Sequence, residues 1–147
     1  MSKLLARLQD ASRSGVYRAP RADDVVDVLR GADFDVVRID LPEVADKAAL
    51  LARLAEALAF PEWFGGNWDA LEDCLTDLSW RQGARHVLLI ERFEALRVKG
   101  FDDFGTLLDV LEASAAYWRE RGRPFFAVLV DPAHTLSLPD LYRARHQ

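Results

Sequence analysis

Apolar residues recur along the chain with two different periods, and the switch between them divides it into elements. Phe34-Asp35-Val36-Val37-Arg38-Ile39-Asp40 alternates, as a strand with one buried face does. Leu41-Pro42-Glu43 breaks it, and Asp46 is placed to cap a helix to about Ala59, with Leu50, Leu51, Leu54 and Leu58 at helical spacing. A second helix is expected from Asn67 to about Leu78, followed by a loop over Ser79-Trp80-Arg81-Gln82-Gly83. His86-Val87-Leu88-Leu89-Ile90 is an apolar run of the length of a strand buried on both faces. After a short turn of helix at Phe93–Leu96, Asp102 or Asp103 opens a long helix with Phe104, Leu107, Leu108, Leu111, Ala115 and Trp118 on one face. Gly122 and Pro124 end it, and Phe125–Val130 reads as the last strand.

Strands separated by long helical stretches pair in parallel through crossovers. The pattern therefore predicts an α/β domain with a three-stranded parallel sheet over residues 34–131, in the order strand, helix, helix, strand, helix, strand. Residues 1–33 read as an N-terminal extension packed on or flanking this core. They hold a helix at Lys3–Leu8, a segment Gly15-Val16-Tyr17-Arg18-Ala19-Pro20 and a short helix from Asp23 to about Arg30. Residues 132–147 form a tail carrying Arg143, Arg145 and His146, expected to be a packed or frayed terminus.

The stretch from Phe60 to Asp77 departs most from ordinary packing logic. Pro61 ends the preceding helix, Gly65-Gly66 frees the backbone for positive φ, and Trp63 and Phe64 place two aromatics in a short loop. Asn67 is a good N-cap. On the helix that follows, Trp68, Leu71, Cys74, Leu75 and Leu78 share the apolar side, and Asp69, Glu72, Asp73, Thr76 and Asp77 share the other. Like charges at i,i+3 and i,i+4 repel by roughly 0.2–0.5 kcal/mol a pair. Only Asp69, near the positive end of the helix dipole, helps the helix itself. A carboxylate run is most often a solvated face, but beside an aromatic loop of interface type it reads as a surface for a positively charged partner.

Composition narrows the alternatives without choosing among them. A net charge of −5 and a pI of about 5.2 argue against the basic footprint of a nucleic-acid binder and for a basic partner. Cys74 is the only cysteine, so an intrachain disulfide or a cysteine-rich metal site is impossible, and a buried thiol is expected. Carboxylates on one convex helix face suit neither a pair flanking a substrate in a cleft nor a cage of converging metal ligands. His86, His134 and His146 share no spacing with one another or with Cys74, and there is no nucleophile elbow or phosphate loop. No catalytic residue, cofactor or metal is expected, and no enzyme. The first residues lack a signal-peptide core and no stretch could cross a membrane, which makes the cytoplasm the expectation; a monomer is expected as well.

The run Phe60-Pro61-Glu62-Trp63-Phe64-Gly65-Gly66-Asn67-Trp68-Asp69-Ala70-Leu71-Glu72-Asp73-Cys74-Leu75-Thr76 resembles the signature of the barstar family, intracellular inhibitors of barnase-type secreted ribonucleases. The resemblance extends over residues 34–130 and implies a barstar-like fold. It implies that Asp69 and Asp73 enter a ribonuclease active site, Asp73 most deeply. Trp63 and Gly65 would lie against the enzyme surface, with Thr76 and Glu72 as further contacts. The partner implied is a basic secreted ribonuclease or a similar bacterial toxin, and the setting a toxin–antitoxin or immunity pair. Glu72 stands where the family has tryptophan, and Asp77 and Leu78 where its reference member has glycine and tryptophan. Alignment back from Gly122 puts Tyr117 where that member has a contacting glutamate. The alternative reading is a barstar-fold interaction or regulatory adaptor whose partner is not a ribonuclease.

Overall fold

In a computed structural model, which describes residues 2–143, the two periods resolve into four strands and six α-helices. The strands are β1 (Gly15–Ala19), β2 (Asp35–Asp40), β3 (His86–Glu91) and β4 (Phe125–Val130). The helices are α1 (Lys3–Gln9), α2 (Ala22–Leu29), α3 (Lys47–Leu58), α4 (Trp68–Leu75), α5 (Glu94–Lys99) and α6 (Phe101–Glu120). All strand pairs are parallel, in the order β1-β4-β3-β2.

The sheet therefore has four strands, not the three that the alternation predicts. The additional strand is Gly15–Ala19, whose five residues are too few and too mixed to show a period, and whose fourth is a charge. Arg18 is only 5% exposed, and its guanidinium is tied to Asp131 at 3.3 Å, to the Asp131 carbonyl at 2.7 Å and to Asp140. A buried charge is tolerable when paired and hydrogen-bonded in this way. Asp131 in turn accepts from the Thr135 and Leu136 amides and the Thr135 hydroxyl, which with Arg18 hold its carboxyl below the usual range against the opposing effect of burial. The tail lines the outer edge of β1: the Arg18 amide donates to Pro139 and the Leu141 amide to Arg18, both at 2.9 Å. This covers a strand edge that would otherwise be open. Arg145 and His146 lie outside the described residues.

Alternation within the strands divides the core in two. Val37, Ile39, Leu88, Ile90, Phe125, Ala127 and Leu129 face the layer built by α3, α4, α5 and α6. Val87, Leu89, Phe126, Val128 and Ala19 face α1 and α2, which contribute Leu8, Val25 and Leu29. The sheet is covered on both faces, which is why β3 and β4 read as continuous apolar runs. Asp46 caps α3 by accepting from the Ala49 amide at 2.8 Å. That helix ends with Ala59 in the left-handed region at φ 54° and the Phe60 amide on the Ala55 carbonyl. No helix of the described residues is long and apolar enough to cross a membrane.

Candidate partner-binding site

Helix α4 begins as its sequence requires. The Asn67 side chain accepts from the Ala70 amide at 2.7 Å, the N-cap bond. Leu71, Cys74 and Leu75 are buried, and Trp68 is half-buried against the same core. The helix is shorter than expected: it closes at Leu75 rather than near Leu78. The Thr76 hydroxyl donates back to the Glu72 carbonyl at 2.8 Å, and Leu78 turns into the left-handed region at φ 54° with its side chain buried. Asp77 therefore stands just past the helix end instead of on its face. Thr76, half-buried, serves the C-terminus of α4 with its hydroxyl proton and keeps its oxygen lone pairs for any outside donor. Across the core, the Trp118 indole N–H donates to the Leu75 carbonyl at 2.8 Å, filling one of the acceptors that a helix end leaves open.

The opposite side of α4 is unpartnered. Asp69, Glu72, Asp73 and Asp77 are exposed, as is Glu62 in the loop. Among the described residues none of these five carboxylates has a hydrogen bond or a basic nitrogen within 4.0 Å. Elsewhere several carboxylates are matched: Asp35 to Arg81 at 2.8 Å, Glu91 to Arg38 at 2.9 Å, Asp40 to Arg92, Asp131 to Arg18. The protein has arginines to spare for pairing and places none here. Below this face, burial, helped by the Asp77 and Asp73 charges, pushes the Cys74 thiol up to about 11, so it is a packing group and not a nucleophile.

The loop before α4 supplies an aromatic edge. Phe60 and Phe64 pack at 4.8 Å between ring centroids, and both rest against the core. Trp63 is 55% exposed, in contact with Trp80 at 6.3 Å in an edge-to-face arrangement. Of the two glycines, only Gly66 has the positive φ expected of the pair, at 71°. A Cβ on Gly65 would meet Asn67 and Ala70 at ordinary contact distances of 3.5 and 3.8 Å, so the free protein does not require glycine there. Trp63, Gly65, Asp69, Glu72 and Asp73 thus lie on one continuous exposed stretch of loop and helix. None of residues 60–78 lines the surface hollows of about 290, 790 and 320 Å³ found on other elements. No three His, Cys, Asp or Glu side chains of the described residues converge as metal ligands would.

Two peripheral positions depart from an acidic surface. Tyr117 is half-buried, and the Arg121 guanidinium lies 3.5 Å over its ring, so a cation occupies the end of α6. His86 is buried, with its Nδ1 3.1 Å from Asp35, and belongs to the sheet rather than to this surface. From the sequence alone Trp80 is a loop position without a role. A tryptophan N–H that must find an acceptor was the available signal.

The profile of the family described as Barstar (barnase inhibitor) matches residues 34–130, about two-thirds of the chain. The chain belongs to the barstar family. Barstars inhibit barnase-type ribonucleases and are not themselves enzymes. The matched span runs from the start of β2 to the end of β4 and contains the whole α4 surface. β1, α1, α2 and the tail lie outside it. No curated protein matches the chain.

Proposed function

We propose that this barstar is a non-catalytic inhibitor of a basic ribonuclease, inserting the acidic side of α4 into the cationic active site and laying Trp63 beside it. A ribonuclease active site gathers Arg, Lys and His to hold phosphate and stabilise its transition state. Carboxylates fixed on a helix substitute for phosphate oxygens there through charge-assisted hydrogen bonds. Asp73 fills the deepest position, Asp69 the one a turn before it. Glu72, Gly65 and Thr76 flank them. The observation that carries this reading is the clustering of five exposed carboxylates on the loop, outer side and end of one short helix, with no basic nitrogen within 4.0 Å of any of them among the described residues. Such a protein acts as a monomer in the cytoplasm of the bacterium that makes the toxin, and protects it.

The altered rim supports a second reading in the same surface. Glu72 replaces a tryptophan, and Arg121 with Tyr117 replaces an acid, so a partner shaped for the reference member would meet different chemistry. An adaptor for a non-ribonuclease partner would use the same carboxylates.

Titrating a panel of basic extracellular ribonucleases, barnase included, with the purified chain separates the two. Stoichiometric loss of RNA cleavage by at least one enzyme, abolished in Asp69→Ala/Asp73→Ala, is the expected result. Failure to inhibit any member at micromolar concentration would discard the inhibitor reading in favour of the adaptor.

A further inference from the structure

The loop carrying Trp63 has little backbone of its own to hold it. Within residues 60–66 the backbone hydrogen bonds are those of the Phe60 amide to Ala55 and of the Phe64 amide to Pro61. Side chains must do the rest. Trp80 reaches across from the segment after α4, donating its indole N–H to the Leu58 carbonyl at 3.0 Å. Leu58 is the last residue of α3, so this carbonyl is one that the helix cannot satisfy internally. The same indole meets Phe60 at 6.0 Å and 88°, and Trp63 at 6.3 Å and 86°.

Trp80 is itself fixed from the other side. Arg81 donates to the same Leu58 carbonyl at 3.0 Å, while its Nε and Nη2 grip Asp35 of β2 at 2.8 and 2.9 Å. The Arg81 amide closes a turn on Leu78 at 3.0 Å. A chain of contacts therefore runs from the first residue of β2 through Arg81, the end of α3 and Trp80 to an exposed indole.

We infer that Trp80, which lies outside the Phe60–Thr76 motif, is a positioning residue for the partner-binding loop: it holds the Trp63 indole in one pose before any partner arrives. The inference rests on the inhibitor reading for its purpose, but its physical content belongs to the free protein. A mobile Trp63 would have to be ordered on binding, and holding one rotamer-rich side chain in advance is worth roughly 3- to 10-fold in affinity. Trp80 acts through Trp63, not by touching the partner.

Two measurements on the intact chain decide it. In the free protein, the indole N–H resonance of Trp63 should show helix-like heteronuclear NOE values. In Trp80→Ala it should shift and lose them, while amide signals of α4 stay in place. Trp80→Phe, which keeps the ring edge but cannot donate to Leu58, should fall between the two and guards against a variant that fails to fold. A Trp63 indole as ordered in both variants as in wild type would overturn the inference. With barnase as the probe, Trp80→Ala should raise koff about 3- to 10-fold alone and leave it unchanged in a Trp63→Ala background. Additive effects would mean that Trp80 contacts the enzyme directly, and would also overturn it. If wild type fails to inhibit barnase, that counts against the proposed function, and the free-protein experiment still decides the role of Trp80.

Discussion

Replacing Asp73 with alanine should move stability and inhibition in opposite directions. In the free protein the Asp73 carboxylate is exposed and has no partner among the described residues, so its removal breaks no contact there. It stands in the last turn of α4, where the helix dipole is negative and disfavours an acid by about 0.3–1 kcal/mol. It also follows Asp69 at i,i+4, a repulsion of about 0.2–0.5 kcal/mol. Alanine has the better helix propensity by up to about 0.7 kcal/mol. Together these terms predict a gain of about 0.5–2 kcal/mol, a rise in Tm of about 1.5–6 °C for a domain of this size. In the complex the same substitution would leave a desolvated cationic pocket unmatched, at a cost of about 2–5 kcal/mol. That is an increase in inhibition constant of roughly 30-fold to several thousand-fold. Thermal and urea denaturation of the free variant, with inhibition constants against the responsive ribonuclease, measure both. A variant that is less stable than wild type would mean that Asp73 has a structural partner. One that inhibits equally well would remove Asp73 from the site.

Three further outcomes are expected. Gly65→Ala should leave the denaturation midpoint within about 0.5 kcal/mol of wild type, since its Cβ finds room, yet weaken inhibition because the partner surface approaches there; unchanged inhibition would take Gly65 out of the interface. The association rate, followed by stopped flow, should fall steeply from low salt to about 0.5 M while the dissociation rate changes little, because a Debye length of roughly 10 Å at 0.1 M screens the approach more than the contact; a salt-insensitive association rate would return the acidic face to an ordinary solvated surface. Burial holds the His86 pKa below its ordinary 6.5 despite the neighbouring Asp35, so the unfolded chain takes up that proton more readily than the native one. Stability should then be full above about pH 6.5 and decline below it, and urea titrations between pH 7.5 and 5.5 should lose that slope in His86→Asn; a slope that persists would assign it to another group.

Elements whose residues are chosen by burial were legible in the sequence. β2, β3 and β4 carry strand-length apolar patterns, and α3 shows both its cap at Asp46 and its leucine stripe, so their existence followed from period and punctuation. β1 was not legible. Its inward position is Arg18, acceptable only because Asp131 and Asp140 arrive from more than a hundred residues away, and no local pattern reports a distant counter-ion. The end of α4 was misjudged for a related reason. Leu78 is apolar and correctly spaced for the helix, but it reaches the core from a left-handed turn. Within the candidate site, the acids and Trp63 could be named from the motif. The supports behind them, Trp118 on the Leu75 carbonyl and Trp80 on the Leu58 carbonyl, could not, because each serves a helix end from another part of the chain.

Those supports explain how so unfavourable a helix persists. An eight-residue helix is too short to be stable alone, and the exposed side of α4 adds repulsion. Its stability must come from elsewhere: from the Asn67 cap, from Leu71, Cys74 and Leu75 in the core, and from Trp118 closing the far end. With the helix secured from its inner side, the acids of its outer side beyond Asp69 are released from any part in folding, and their carboxylates can be chosen for a partner alone. The same division holds in the loop, where Phe60 and Phe64 pack inward while Trp63 is left outward. An acidic face that arose only as a solvated surface would have no reason to exclude lysine and arginine. One under selection to meet a cationic active site would have to exclude them, since each would repel the partner and neutralise a neighbour, and on this face there are none between Glu62 and Asp77.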